Sequence, residues 1–597
     1  MKNVIVTTAL HEYWDLNKKN ILLGEWCRIY NKEKINKKFN YEIFDYIWKD
    51  RSKFQEIYDF CHEEFESKIV SLTKILNKLN NINEDEMYYR IILWHWLIYL
   101  IFQYYDKYKS LIRVKNKYPN ATTYISPQKK NIIPFNADKF INLVSYSDHY
   151  NFQLYSNLIR ELELNYKIKC LNIPLKQQLY FLNKPSLLQN IINLVNRSLY
   201  WISSLINSEN VILTKLLFKY NKIITYILIF KSKFLFVSEE FNYKYKIKIN
   251  EVCKSRNDIN LHSEKNHCDN DEKLRFSNFL DTQIMKDLPI IYYEGFSQIR
   301  NIADKLKIKK IKKIITAQSS YNHQTLFNFW YAKNKDDIKL IIHQHGGWNC
   351  THELALEELH WSIGDEIWTY GSSYNEKQIP MFNYVSSLYI DKYKKAKPLY
   401  NRKIENIFLI ISSCPRYHRS FSASHTSSEI LYEVEEVINF LRLLSKNFSV
   451  TLRCAKNDYQ WNIKERILNE KLSCNIKIDN GKNKLIHEFN KYDVVICNYF
   501  GTTYLESFAA NVPTLILYNP EKEFFRNEAK KYFECLKKNG VIHQSADELF
   551  SFLNKINLNF NQWWLSNAVQ DSLFKFKNKY TNVDDSWFEK WMLRLKN

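Results

Sequence analysis

Apolar positions along the chain follow two different periods, and the change between them falls near residue 309. One short strand-like run, Asn3–Ala9, opens the sequence. Nearly 300 residues then follow with apolar side chains at three- and four-residue spacing, clearest in Tyr88–Lys109 and Gln177–Asn207, which predicts helices. Asn250–Arg275 is polar and reads as a loop or insertion. From Lys309 short β-branched runs alternate with helical stretches. The runs are Lys313–Ala317, Ile338–His345 and Glu366–Tyr370, then Asn406–Ser412, Ser449–Arg453, Val494–Cys497 and Thr514–Leu517. Glu429–Lys446, Lys484–Lys491 and Thr503–Asn511 are the helical stretches between the later ones. Such alternation predicts parallel sheets covered by helices. A Lys-rich connector, Asp391–Lys403, splits the region into two α/β units. The expectation is an α/β chain with two Rossmann-like domains facing a ligand cleft and a large, mainly helical N-terminal elaboration. The first domain takes 1–390, with a helical insertion over about 30–300 and an α/β unit over about 309–371. After the connector 391–403 comes a second Rossmann-like domain, 404–582, and a terminal amphipathic helix, 583–597. That last segment (DDSWFEKWMLRL) is expected to pack back across the domains, and its tryptophans and basic residues also suit a membrane surface.

Composition narrows the class. Hydrophobic residues at 45 % and charged residues at 25 % exclude a disordered chain. Only 9 glycines remain in 597 residues, so each that is kept points to a backbone or close-approach requirement. Lys+Arg 86 against Asp+Glu 64 gives a net charge of +22, for which two readings stand. One is a basic face selected for anionic lipid or phosphorylated substrates; the other is drift in an AT-rich coding sequence. No helix-turn-helix, RRM or zinc-finger signature is present, so no nucleic-acid partner is expected. Eleven cysteines lack any CxxC pair, and the first ten residues do not resemble a signal peptide, which predicts free thiols and a cytoplasmic protein. The longest apolar run, Ile91–Phe102, is too short to cross a bilayer, and its Trp94, His95 and Trp96 read as core. Cys253, His262, His267 and Cys268 have poor zinc spacing.

Candidate chemistry concentrates at the ends of strands. In Tyr492–Pro520 a buried strand (VVIC) runs into Gly501, Thr502 and Thr503 and then a helix carrying Glu506. A helix N-terminus at a strand's carboxyl end presents free N–H groups to a phosphate, with Glu506 placed for a sugar hydroxyl. The plainer reading is an N-cap threonine and a solvated glutamate. His343–Gly347 (HQHGG) ends another strand; His343 and His345 share a face if the strand runs through both. Three readings of it stay open: a metal site, a structural turn, or a cleft loop with His345 as polar contact and Gly346 and Gly347 admitting a close approach. Ser412, Ser413 and Arg416 follow the first strand of the second unit, and Arg453 and Lys456 follow the next. Together they form a basic sheet edge for donor phosphate, or else ordinary surface loops. Glu25, after Gly24 and beside Trp26, is a candidate general base or a turn glutamate, and His11 and Asp15 are weaker candidates for that role.

The Tyr492–Pro520 pattern, strand, small polar turn, Thr-Thr and LESFAANVPTL, resembles the donor element of bacterial glycosyltransferases of the two-Rossmann GT-B architecture. Val6–Tyr30 and His343–Gly371 (HQHGGWNCTHELALEELHWSIGDEIWTYG) resemble an uncharacterised bacterial transferase family of surface-polysaccharide gene clusters. The resemblance implies a glycosyltransferase that takes a nucleotide-sugar donor, CMP-activated acidic sugars among the candidates, and a glycan or lipid-linked glycan acceptor of polysaccharide or lipopolysaccharide assembly. It implies neither cofactor nor metal, while the basic charge and the terminal amphipathic helix suit peripheral contact with an anionic inner-membrane surface. Ser412, Ser413, Arg416, Arg453, Lys456, Gly501, Thr502, Thr503 and Glu506 would hold the donor, with Glu25 and His345 catalytic. A polyol-phosphate transferase of the same fold and a non-catalytic nucleotide-binding component are the alternatives.

Overall fold

A computed structural model of the chain describes residues 3–127, 131–169, 187–216, 222–239, 241, 247, 254–261, 271–306, 308, 310–317, 325–354, 357–387, 403–418, 421, 426–427, 429–470, 472–473, 475–517 and 523–596. Three sheets organise it. Strands β1 (Val4–Val6), β2 (Asn20–Leu22), β3 (Tyr41–Ile43), β4 (Thr122–Ile125) and β5 (Tyr166–Ile168) lie in the order β3-β2-β1-β4-β5. A second sheet, β11-β10-β9-β8-β6-β7, uses β6 (Asn210–Thr214), β7 (Phe236–Ser238), β8 (Ile311–Thr316), β9 (Lys339–His343), β10 (Glu366–Thr369) and β11 (Gln378–Pro380). The third, β14-β13-β12-β15-β16-β17, is built from β12 (Asn406–Ile410), β13 (Ser449–Arg453), β14 (Ile476–Ile478), β15 (Val494–Cys497), β16 (Thr514–Leu517) and β17 (Ile542–His543). β1 runs parallel to β2 and β4, and β12 runs parallel to β13 and β15.

The parallel α/β class read from the alternation is therefore what folds, and the first 300 residues are mainly helical. They also carry β2 to β7, and with them a whole sheet that helical spacing does not reveal. These strands are three to five residues long, too short to display a two-residue period. Two further readings change. Asp271–Arg275, expected in a loop, opens the helix Asp271–Asp287, and Lys484–Lys491, expected as a helix, forms two 3₁₀ turns, Leu485–His487 and Phe489–Lys491. The connector 391–403 lies outside the described residues except for Lys403, as do Cys253, His262, His267 and Cys268.

Packing divides the chain into two compact units: Met1–Ile341 with Leu359–Gly364 and Pro415–Phe421, and Ile342–Glu358 with Asp365–Cys414 and Ser422–Asn597. In the first, helices α1 (Phe54–Asn80) and α2 (Glu86–Lys117) pack together, and α3 (Asp148–Glu161) also packs on α2. α2 starts where the Asp85 carboxylate accepts from Tyr88 N, and it is buried on every face from Ile91 to Tyr108. A helix apolar all round belongs in a core, and among the described residues none is long and apolar enough to cross a membrane. Trp94 and Trp96 are fully buried, as expected of a core helix. The same unit holds α4 (Leu187–Ile206) and α5 (Lys222–Lys231) around β6 and β7. In the second unit, β12 and β15 are buried on both faces, as the central strands of a parallel sheet must be. Helices α6 (Thr502–Ala509), α7 (Asn527–Lys538) and α8 (Trp587–Lys596) belong to it. Trp587, Phe588, Trp591 and Leu595 of α8 are buried, and Trp591 packs on His343, Trp368 and Tyr384.

Candidate functional site

In the third sheet the chain runs outward from β12 through β13 and β14, then returns to place β15 on the other side of β12. That reversal leaves a crevice beyond the carboxyl ends of β12 and β15, where open parallel sheets bind ligands. The two strand ends are laced together, since Asn498 N donates to Ile410 O (3.2 Å) and Ser412 N donates to Asn498 Oδ1 (3.2 Å). Beyond them lie Ser412 and Ser413 on one side and the Gly501 turn on the other. The Ser413 hydroxyl is buried with no hydrogen-bond partner among the described residues.

Gly501 leads into α6, and a Cβ there would lie 2.3 Å from the Tyr499 ring, which would have to move to admit it. Tyr499 is in turn bonded through its hydroxyl to Thr503 Oγ1 (2.8 Å), so Thr503 is spent on the fold. Thr502, half-buried in the first turn, keeps its hydroxyl available beside the unsatisfied N–H groups of the helix start.

The HQHGG segment arrives at this same helix start. A Cβ on Gly347 would sit 2.5 Å from Gly501 O and 3.0 Å from Leu505 Cδ1, so the two backbones approach as only glycine allows. A Cβ on Gly346 would meet ordinary contacts, Thr502 Oγ1 at 3.7 Å and Asn349 Oδ1 at 4.0 Å. Gln344 braces the loop: its Nε2 donates to Gly346 O (2.7 Å), and its Oε1 accepts from Tyr370 N (2.8 Å) and Cys350 Sγ (3.4 Å). Asn349, 1 % exposed, has no partner among the described residues for either amide atom. Leaving a buried amide unpaired costs about 1–3 kcal/mol, and such groups in a native fold call for a ligand, ion or water. Periodicity and spacing gave no reason to single out Asn349 or Gln344; only the folded loop does so.

Glu506 lies one turn into α6. Burial raises its carboxyl from the ordinary 4.5 to about 7, with Lys484 the cation that opposes the shift. Its charge in turn contributes to raising the Tyr370 and Cys497 pKa values. His345, half-buried beside the glycines, is held neutral because burial lowers its pKa to about 4. His343 does not share that position. β9 ends at His343, whose ring is fully buried between Trp368, Tyr370, Tyr384 and Trp591, and its pKa falls to about 3. A cavity of about 320 Å³ opens nearby, lined among others by Phe500, Phe525, Phe533, Glu523, Glu353 and Lys530.

The remaining expected site residues lie elsewhere or are already engaged. Arg453, at the end of β13, is ion-paired with Asp479, donates through Nη1 to Asn483 O (3.1 Å) and covers the Phe408 ring at 5.1 Å. Lys456, three residues on, is exposed. Arg416 belongs to the first unit, fully buried with a guanidinium nitrogen 2.5 Å from Asp148 Oδ1, an oxygen that also accepts from Ala9 N (3.2 Å) and the Tyr417 hydroxyl. Arg453 is thus ion-paired within the second unit and Arg416 within the first. Glu25, also in the first unit, is ion-paired with Arg28, whose Nε donates to Glu25 Oε2 (2.9 Å). Among the described residues no three His, Cys, Asp or Glu side chains stand close enough to hold a metal ion.

The profile of the LIC12162 family of transferases matches residues 3–595. No curated protein matches the chain. Among solved structures, S. aureus MnaA with UDP aligns at 11 % identity over 65 % of this chain and 96 % of its own, with a TM-score of 0.37. Acinetobacter baumannii MurG aligns at 9 % identity over 65 % and 99 %, with a TM-score of 0.34. Anabaena HepE in complex with UDP and glucose aligns at 10 % identity over 65 % and 99 %, also with a TM-score of 0.34.

Proposed function

The chain belongs to the LIC12162 family of transferases, and from that premise we propose that it is a glycosyltransferase of GT-B type whose second unit binds a nucleotide-sugar donor. The observation that carries the reading is the cradle at the start of α6. Two backbones meet there through Gly347 and Gly501, and the Asn349 amide and the Thr502 hydroxyl lie beside the neighbouring Gly346. A phosphate seated in it receives N–H groups at the positive end of the helix, with the neutral Asn349 and Thr502 side chains as further donors. As the bond to the sugar breaks, negative charge grows on that phosphate, and fixed donors stabilise it without rearranging. Glu506, one turn deeper, accepts from ribose hydroxyls in its ionised form. His345 reaches the reacting end as a neutral imidazole. The acceptor in this proposal is a glycan or lipid-linked glycan of a cell-surface polymer.

Thermal unfolding in the presence of CMP, CDP, UDP, GDP and dTDP tests the reading. A ligand at about 100 times its Kd stabilises by about 2.7 kcal/mol, a shift of a few degrees. One nucleotide should raise Tm, and Gly347→Ala should remove the shift. Silence from all five would sink the donor site. Phosphorus retained in the product would replace sugar transfer by polyol-phosphate transfer at the same cradle.

A further inference from the structure

Helix α4 is built the wrong way round for a helix that serves only its own core. Its inward residues include Asn196 and Ser203, both buried; Asn196 Oδ1 accepts from the Tyr226 hydroxyl of α5 (3.3 Å), and Ser203 Oγ lies 2.5 Å from Asn210 Oδ1 and from Phe234 O. Its outward residues are Ile191, Leu194, Val195, Trp201, Leu205 and Ile206, with Leu194 66 %, Trp201 64 % and Leu205 67 % exposed. At 100° per residue these six fall within an arc of about 140°, about the width of the face an amphipathic helix normally buries. α5 adds exposed Ile227 and Phe230. An exposed apolar face of that size marks an interaction surface.

Charge decides what covers it. Residues 187–239 contain six basic side chains, Arg197, Lys215, Lys219, Lys222, Lys231 and Lys233, against two acidic ones, Glu209 and Glu239, in a chain whose net charge is +22. Lys231 and Lys233 are exposed at the end of α5. A second copy of the same face would set like charges against each other, whereas an anionic bilayer attracts the net positive charge and covers the apolar stripe. Trp and Leu on one side, with exposed lysines at the end of the neighbouring helix, is the composition of surfaces that lie in a membrane interface. The terminal helix α8, which the sequence also suits to that role, has its tryptophans buried in the second unit.

We propose that the outward face of α4, with Trp201 at its centre, docks the protein on the surface of an anionic phospholipid bilayer without crossing it. This does not depend on the reaction catalysed. Flotation of the full chain with phosphatidylcholine vesicles, with and without phosphatidylglycerol, reads it out, with Leu194→Ser/Trp201→Ser/Leu205→Ser as the variant. Binding is expected only with the anionic lipid, weakened by 0.5 M salt. The variant should lower the partition coefficient by about tenfold or more at unchanged Tm. Absence of wild-type binding, or equal binding by the variant, overturns the proposal. So does a variant that turns a dimer into a monomer and leaves flotation intact. Should the variant's Tm fall, Lys231→Gln/Lys233→Gln decides instead: weaker flotation supports membrane docking and unchanged flotation overturns it.

Discussion

Asn349 and Glu506 are both costly residues in the absence of a ligand, and the cost has a measurable sign in each. Asn349 buries two unpaired polar atoms. Replacing it by alanine removes both atoms and their desolvation penalty without adding bulk, so Asn349→Ala should change Tm little while abolishing the nucleotide shift. A lower Tm with the nucleotide shift retained would make Asn349 a structural residue. The Glu506 carboxyl titrates near 7 in the fold against 4.5 for an ordinary glutamate, because burial disfavours its charge. The folded state therefore holds the proton more tightly. The stability linked to it is fully present below pH 4.5 and is lost as pH rises through about 7. Glu506→Gln should match wild type near pH 4.5 and melt higher at pH 8. Nucleotide affinity of the wild type should rise between pH 6 and 8 as the carboxylate forms to meet ribose hydroxyls, and the glutamine variant should show a flatter profile. Identical profiles would take Glu506 out of the donor site.

At the scale of elements, the second unit was the more legible half. Ser449–Arg453, Val494–Cys497 and Thr514–Leu517 form strands with the boundaries their β-branched runs predict, and the helix after Gly501 begins one residue before the expected Thr503. Continuous apolar runs bounded by turn residues carry their own signal. β2 and β3, at three residues each, do not, because a strand that short is specified by the neighbours it pairs with. The strand–loop–helix junction at Gly347 shows how one residue can join elements far apart in sequence. Gly347→Ala forces a methyl to 2.5 Å from Gly501 O, and overpacking of this kind costs about 1–3 kcal/mol. Gly346→Ala meets nothing closer than 3.7 Å and should leave stability unchanged while crowding the cradle. Urea unfolding of the two variants separates them, and equal stabilities would contradict the close approach.

Over the whole molecule, burial sorts the thiols as it sorts everything else. Of the seven described cysteines, all are free; Cys27, Cys61, Cys350, Cys414 and Cys497 are buried, and Cys454 and Cys535 are partly exposed. Burial also pushes the Cys27, Cys61 and Cys497 thiols up, which keeps them from the reactive thiolate form. Brief alkylation followed by peptide mass mapping should label Cys454 and Cys535 first. Early labelling of the buried five would mean that their units open readily.

What the sequence determined by itself is what depends on near neighbours: the parallel α/β class, the longer strands and helices, the core helix around Trp94 and Trp96, and the Gly-Thr-Thr start of α6. Each follows from periods and turn residues within a few positions of one another. The tertiary structure alone decided which of those pieces meet. It brought HQHGG to Gly501, left Asn349 unpaired beside them, withdrew Arg453 into an ion pair with Asp479, and gave Arg416 to the interior of the first unit. It also turned the apolar side of α4 outward, where periodicity shows only that such a side exists. The reason is physical: a side chain's partner, its desolvation and its charge are set by residues scores or hundreds of positions away, and a local pattern carries no information about that distance.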